Sequence, residues 1–146
     1  MSLPGPQTLR LRDQLQAMPD GGRVVITVPP SPYRCPPGPY ERASLMAWYL
    51  SREKPRSKVL ILDGSDGMPK ADLFQEGWHT LYPGRIERIS AAEGGRVTGV
   101  DVEAMTVTAE AGRFQGDVHQ RHPAAAGRRH RHWYRSIVAD SFATRI

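Results

Sequence analysis

The order of hydrophobic patterns along the chain predicts an α/β fold: parallel strands alternating with helices, a small antiparallel β attachment, and a disordered C-terminal tail. Three observations carry this. Arg23 to Val28 and Val59 to Leu62 are apolar at nearly every position rather than every second one, as strands buried on both faces require. The segments before, between and after them carry apolar residues at helical spacing. From Arg85 onward the period shortens to two, broken by glycine-bearing turns, which is the pattern of hairpins.

Each element follows from its residues. Leu9 to Met18 places Leu11, Leu15 and Met18 on one helical face, and Asp20-Gly21-Gly22 ends it. The Arg-Val-Val-Ile-Thr-Val strand (23–28) stops at Pro29-Pro30, which cannot continue a ladder. Tyr40 to Leu50 has the spacing of a packed helix. The strand at 59–62 closes at Asp63-Gly64-Ser65-Asp66, and Ala71 to Tyr82 is a third helix with Leu73, Phe74, Trp78 and Leu81 on one side. Ile86 to Ile89, Arg96 to Val102 and Met105 to Thr108 read as strands, with Glu93-Gly94-Gly95 and Ala111-Gly112 as turns. From Val118 no period remains, so order is expected to end at Asp117.

At 146 residues one domain is expected. The net charge of +5 is unevenly placed: residues 1–117 hold 14 basic and 14 acidic residues, whereas 118–146 hold six arginines and one acid, Asp140. Four of the five histidines (His119, His122, His130, His132) lie in that tail. No apolar run is long enough for a membrane span, and the first residues lack a charged segment followed by an apolar one, so neither an export signal nor an anchor is expected in the chain as written. With one cysteine, pairing gives no reading of the redox compartment.

That cysteine, Cys35, lies in Pro-Pro-Ser-Pro-Tyr-Arg-Cys-Pro-Pro-Gly-Pro-Tyr-Glu (29–41), between the first strand and the second helix. A Rossmann-like unit puts its phosphate loop there, because glycines let backbone N–H groups approach a pyrophosphate at the helix N-terminus. Here six of the thirteen residues are prolines, which have no N–H to offer. A thiol just before a helix is either a small packing residue or a nucleophile, since a helix N-terminus favours the thiolate. Glu41, in the first helical turn, is either a helix-end acid or a proton acceptor for the same cleft. Asp63 occupies the place of a ribose-binding acid, but without a glycine loop before it a turn or cap role is favoured. The tail histidines have spacings that could ligate a metal, yet no metal site is expected.

The Cys35 loop (Pro32 to Glu41) and Leu-Phe-Gln-Glu-Gly-Trp (73–78) closely resemble the flavoprotein subunit of flavocytochrome c sulfide dehydrogenase, over about Gln7 to Asp117. The resemblance implies that residues 7–117 are an incomplete second, NAD-like Rossmann domain of an FAD-dependent disulfide oxidoreductase, one that does not use NAD. It implies that the cysteine matching Cys35 forms a redox-active disulfide over the flavin with a second cysteine. Sulfide attacks that disulfide, and electrons pass through FAD to a c-type cytochrome subunit. It further implies that Glu41 lies near that centre and that the intact family protein is periplasmic. Catalytic roles are therefore expected for Cys35 and Glu41, with FAD, sulfide and a c-type cytochrome as cofactor and partners, no metal, no nucleic acid and no membrane span. The flavin-binding half and the partner cysteine are expected to be missing, leaving this chain inactive alone.

The tail carries a further expectation. Written as generic codons with the first base dropped, His119 to His130 permits Ile-Asn-Val-Ile-Pro-Pro-Gln-Arg-Ala-Gly-Ala-Ile, which resembles the family after the Gly-Asp matching Gly116-Asp117. Residues 119–146 are thus read as out of frame, and 118–146 as a non-native or disordered basic tail. The alternative is a small basic module that binds nucleic acid through its Arg/His-rich tail. A self-sufficient NAD enzyme is opposed by the proline-rich turn.

Overall fold

The structure, a computed structural model, describes residues 6–121. Its elements are α1 (Pro6–Ala17), β1 (Arg23–Val28), α2 (Gly38–Glu53), β2 (Lys58–Asp63), α3 (Ala71–Leu81), β3 (Ile86–Ile89), β4 (Val97–Asp101), β5 (Thr106–Ala109), β6 (Gly112–Gln115) and β7 (Val118–Arg121). Four strands form a parallel sheet in the order β3-β2-β1-β7, and three form an antiparallel sheet in the order β4-β5-β6. The register runs Val24 opposite Val59 on one side of β1 and opposite Val118 on the other.

Both faces of the parallel sheet are covered, which explains the unbroken apolar runs. Val24, Ile26, Val28, Val59 and Ile61 point to the helices, meeting Tyr40, Ala43, Met46 and Leu50 of α2, with Leu11, Leu15, Phe74 and Trp78 packed against the same cluster. The alternate residues Val25, Leu60 and Leu62 point the other way, onto Val107 and Ala109 of the antiparallel sheet, with Val97, Val100 and Phe114 at its rim. The domain is therefore three layers: helices, parallel sheet, antiparallel sheet.

α2 begins at Gly38 with Pro37 as its N-cap, and Pro39 is tolerated because first-turn N–H groups have no intrahelical acceptor. It stops before Lys54-Pro55, where the Lys54 N–H bonds to the Leu50 carbonyl. The Lys54 ammonium also donates to the carbonyls of Gln16 and Met18, tying the end of α2 to that of α1.

The structure departs from the sequence reading in two places. Beyond the turn expected at Ala111-Gly112 lies a strand that was not expected, β6, which completes the antiparallel sheet through pairing of Thr106 with Gln115 and Val107 with Phe114. Order also does not end at Asp117, because Val118–Arg121 forms β7, in parallel register with Val24 to Thr27. Asp117 places β7 despite that strand's side chains: its N–H donates to the Arg23 carbonyl at 2.8 Å, and its side-chain Oδ2 accepts from the Arg23 N–H at 2.8 Å, so the chain enters the sheet already clamped. The remainder of the expected tail, 122–146, lies outside the described residues. Among the described residues no helix is long and apolar enough to cross a membrane.

Candidate functional site

In open parallel sheets ligands gather beyond the carboxyl ends of the strands, where the βα loops converge. Cys35 is in that position, on the loop from β1 to α2. It is exposed and has φ +56°, the left-handed region that costs a residue with a Cβ about 1–2 kcal/mol. Its carbonyl accepts from the Gly38 N–H at 2.9 Å, so the thiol sits on the tight turn that opens α2. Glu41 is exposed in the first turn of the same helix, its N–H bonded to the Pro37 carbonyl at 3.0 Å. Both sequence-predicted residues thus lie at one end of α2. Among the described residues neither side chain is held by a hydrogen bond or ion pair, which leaves thiol and carboxylate free to meet a reactant.

Beneath the loop is a buried polar chain that the sequence reading did not anticipate. Asp63, the last residue of β2, is fully buried, a state a carboxylate tolerates only when its oxygens are satisfied. Oδ1 accepts from the Ser65 N–H at 2.9 Å. Oδ2 accepts from the Tyr40 hydroxyl at 2.5 Å and from Arg88 Nε at 2.8 Å. Arg88, on β3, continues outward through Nη2 to the carbonyls of Ser65 (2.8 Å) and Asp66 (3.0 Å). On the other side the Tyr33 hydroxyl lies 3.5 Å from that of Tyr40 and 3.3 Å from the Pro36 carbonyl, which it can reach as donor.

The electrostatics follow from this arrangement. Burial, then donation to Asp63, pushes the Tyr40 phenol far above its ordinary range, so it stays a donor. Burial also raises Tyr33, with the Tyr40 hydrogen bond opposing. For Arg88 burial favours the neutral form, but the Asp63 carboxylate outweighs it and holds the guanidinium charged.

The loops after β1 and β2 touch closely at this end. Ser31 N–H donates to Ser65 Oγ at 3.0 Å, and Gly64 N–H to the Val28 carbonyl at 2.9 Å. A Cβ at Gly64 would come within 2.8 Å of the Pro30 nitrogen, so only glycine allows the approach.

These contacts decide what the site can hold. The acid at the ribose position has its oxygens committed inside the protein, and the preceding turn presents prolines instead of N–H groups. The described residues therefore do not fit a dinucleotide, either NAD or FAD, in the manner of a phosphate-loop Rossmann unit. The expected turn role of Asp63 is met by its bond to Ser65, but its larger role is the Tyr40–Arg88 network. A shallow groove of about 500 Å³ runs along β3, lined by residues including Trp78, His79, Arg88 and Glu93; neither Cys35 nor Glu41 lines it. No cluster of three or more His, Cys, Asp or Glu that could hold a metal occurs among the described residues.

The sequence signal for the hidden network was faint. Tyr33 and Tyr40 flank Cys35 within one short segment, but Arg88, on an alternating strand, reads as a solvated charge. Nothing in the sequence links it to an aspartate 25 residues earlier.

Residues 8–123 match the family described as the central region of the flavoprotein chain of sulfide dehydrogenase, flavocytochrome c. The match contains the whole parallel sheet, the Cys35 loop and the Asp63 network, and it covers most of the chain. The chain therefore belongs to the sulfide dehydrogenase flavoprotein family of flavocytochrome c, as the family's central region.

Proposed function

We propose that this chain is the NAD-like domain of a sulfide-oxidising flavoprotein, spanning residues 7–117 of the sequence, and that Cys35 is one half of its redox disulfide. The observation that carries the reading is the exposed thiol at the carboxyl end of a parallel sheet, on a proline-rich loop that has replaced the phosphate loop. In the proposed step hydrosulfide attacks one sulfur of the disulfide between Cys35 and a second cysteine. A persulfide S–S bond forms as the original S–S bond breaks, and the other sulfur leaves as a thiolate carrying the electron pair. Glu41, exposed at the same helix end, accepts the hydrosulfide proton. FAD in the intact protein is the electron acceptor that the family implies, and a c-type cytochrome subunit the next carrier. The described residues offer no cradle for FAD.

With one cysteine in its sequence, the chain taken by itself cannot form that disulfide internally, and it is proposed to be inactive alone. Purified and tested with sulfide and cytochrome c, it should show no flavin absorbance and no cytochrome reduction. Bound flavin with turnover would overturn that.

We also propose that a base was gained or lost near codon 118, so that residues 119–146 are out of frame. Support comes from β7. His119 Nε2 and Gln120 Oε1 are buried without a hydrogen-bond partner, in a strand whose neighbour β1 is apolar. The shifted reading permits isoleucine where His119 stands. Sequencing the DNA in several related strains tests this: an uninterrupted frame encoding the same His/Arg tail in each would refute it. The nucleic-acid alternative rests chiefly on residues 122–146, and no observation among the described residues favours it.

A further inference from the structure

Cys35 is bracketed by hydrogen bonds that reach into the core, and this assigns a task to residues outside the proposed chemistry. We propose that Tyr40 and Asp63 are positioning residues for Cys35, acting through the buried chain Tyr33–Tyr40–Asp63–Arg88. A left-handed backbone at a residue with a Cβ persists only where its surroundings over-determine it. Here the determinants lie on both sides. Before Cys35, Tyr33 is buried with its hydroxyl at the Pro36 carbonyl and beside Tyr40. After it, Tyr40 is anchored to Asp63 at 2.5 Å, and Asp63 is anchored in turn to Arg88 of β3 and to the turn after β2.

The loop between the two tyrosines is thereby pinned to β2 and β3, not only to its own helix. A buried ion pair is a weak device for stability, because an apolar replacement of the same volume can be as stable. Its distinctive property is direction: one hydroxyl, one carboxylate and one guanidinium fit together in a single arrangement. That is what a loop presenting a thiol to a reaction partner needs, since small misplacements in a reacting geometry are costly. The functional weight of the proposal rests on the redox reading of Cys35, whereas the positioning itself does not.

Because Cys35 is the sole cysteine, a nitroxide label attached to it in the full 146-residue chain reports directly on the loop. The electron paramagnetic resonance spectrum should sharpen in Tyr40→Phe, the label's correlation time shortening about twofold or more on the nanosecond scale of loop motion. Tyr33→Phe, which removes only the hydroxyl nearest the loop, should sharpen it in the same sense and serves if Tyr40→Phe fails to fold. Ser51→Ala removes the bond from Ser51 Oγ to the Trp48 carbonyl (2.7 Å) on the same helix, away from both tyrosines, and should leave the spectrum unchanged. Superimposable spectra for wild type and both tyrosine variants would overturn the proposal, as would equal sharpening in Ser51→Ala. A sharpened spectrum alongside undiminished sulfide oxidation by the intact flavoprotein carrying Cys35→Ser would sink the redox reading while leaving the positioning intact.

Discussion

Asp63 shows how one buried group can exclude one function and support another. A carboxylate at the end of the second parallel strand is well placed for a ribose, yet its oxygens face Tyr40, Arg88 and Ser65. Removing it leaves the Arg88 guanidinium, largely shielded from water, without its counter-ion. Asp63→Ala should therefore destabilise the domain by about 3–5 kcal/mol, the usual cost of breaking a buried pair. Tyr40→Phe keeps the ring packing and should cost only about 1–3 kcal/mol, mostly for the hydrogen bond lost to a charged acceptor. Urea unfolding of both variants checks the order; equal losses would mean that the tyrosine, not the ion pair, dominates. The placement of Cys35 and Glu41 at the start of α2 was legible in the sequence, because the proline-rich segment ends where helical spacing begins. The Asp63 network was not, because Tyr40 and Arg88 lie 23 and 25 residues from Asp63 and meet it only once α2 packs on the sheet and β3 pairs with β2.

At the level of elements, β1 and β2 were legible because burial on both faces leaves an unbroken apolar run, and β1 starts and stops where its residues change character. β7 was not legible, because its Val-His-Gln-Arg side chains contradict the environment its backbone enters. That conflict is measurable. Burial lowers His119 below its ordinary 6.5, with the nearby Asp117 charge only partly opposing. The unfolded state therefore takes up this proton first: the contribution is whole above about pH 6.5 and is lost as pH falls toward the lowered folded value. Acid-side thermal melts should show this loss, and His119→Ile should remove it. The same substitution should raise stability at neutral pH by about 1–2 kcal/mol, by relieving an unpaired buried nitrogen and adding apolar packing. An unchanged or lowered melting temperature would count against the out-of-frame origin of this strand.

For the whole molecule, the sequence predicted the α/β class and the small antiparallel attachment but not the last strand of the parallel sheet. The α/β order and the antiparallel attachment could be read from period changes. How the attachment covers the second face of the parallel sheet could not, since that depends on which alternate residues of β1 and β2 remain to be buried. The charge distribution divides close to the same place: the balanced residues 1–117 make up nearly all of the family's central region, and five of the six surplus arginines follow it. The thiol on the proline-rich loop is proposed to take part in sulfide oxidation, and sulfide-dependent cytochrome c reduction by the intact flavoprotein and its cytochrome subunit, with Cys35→Ser in the flavoprotein, tests this. Turnover should fall at least about a thousandfold, of the order seen when a covalent participant is removed, with the variant still folded. Turnover within a few-fold of wild type would contradict it.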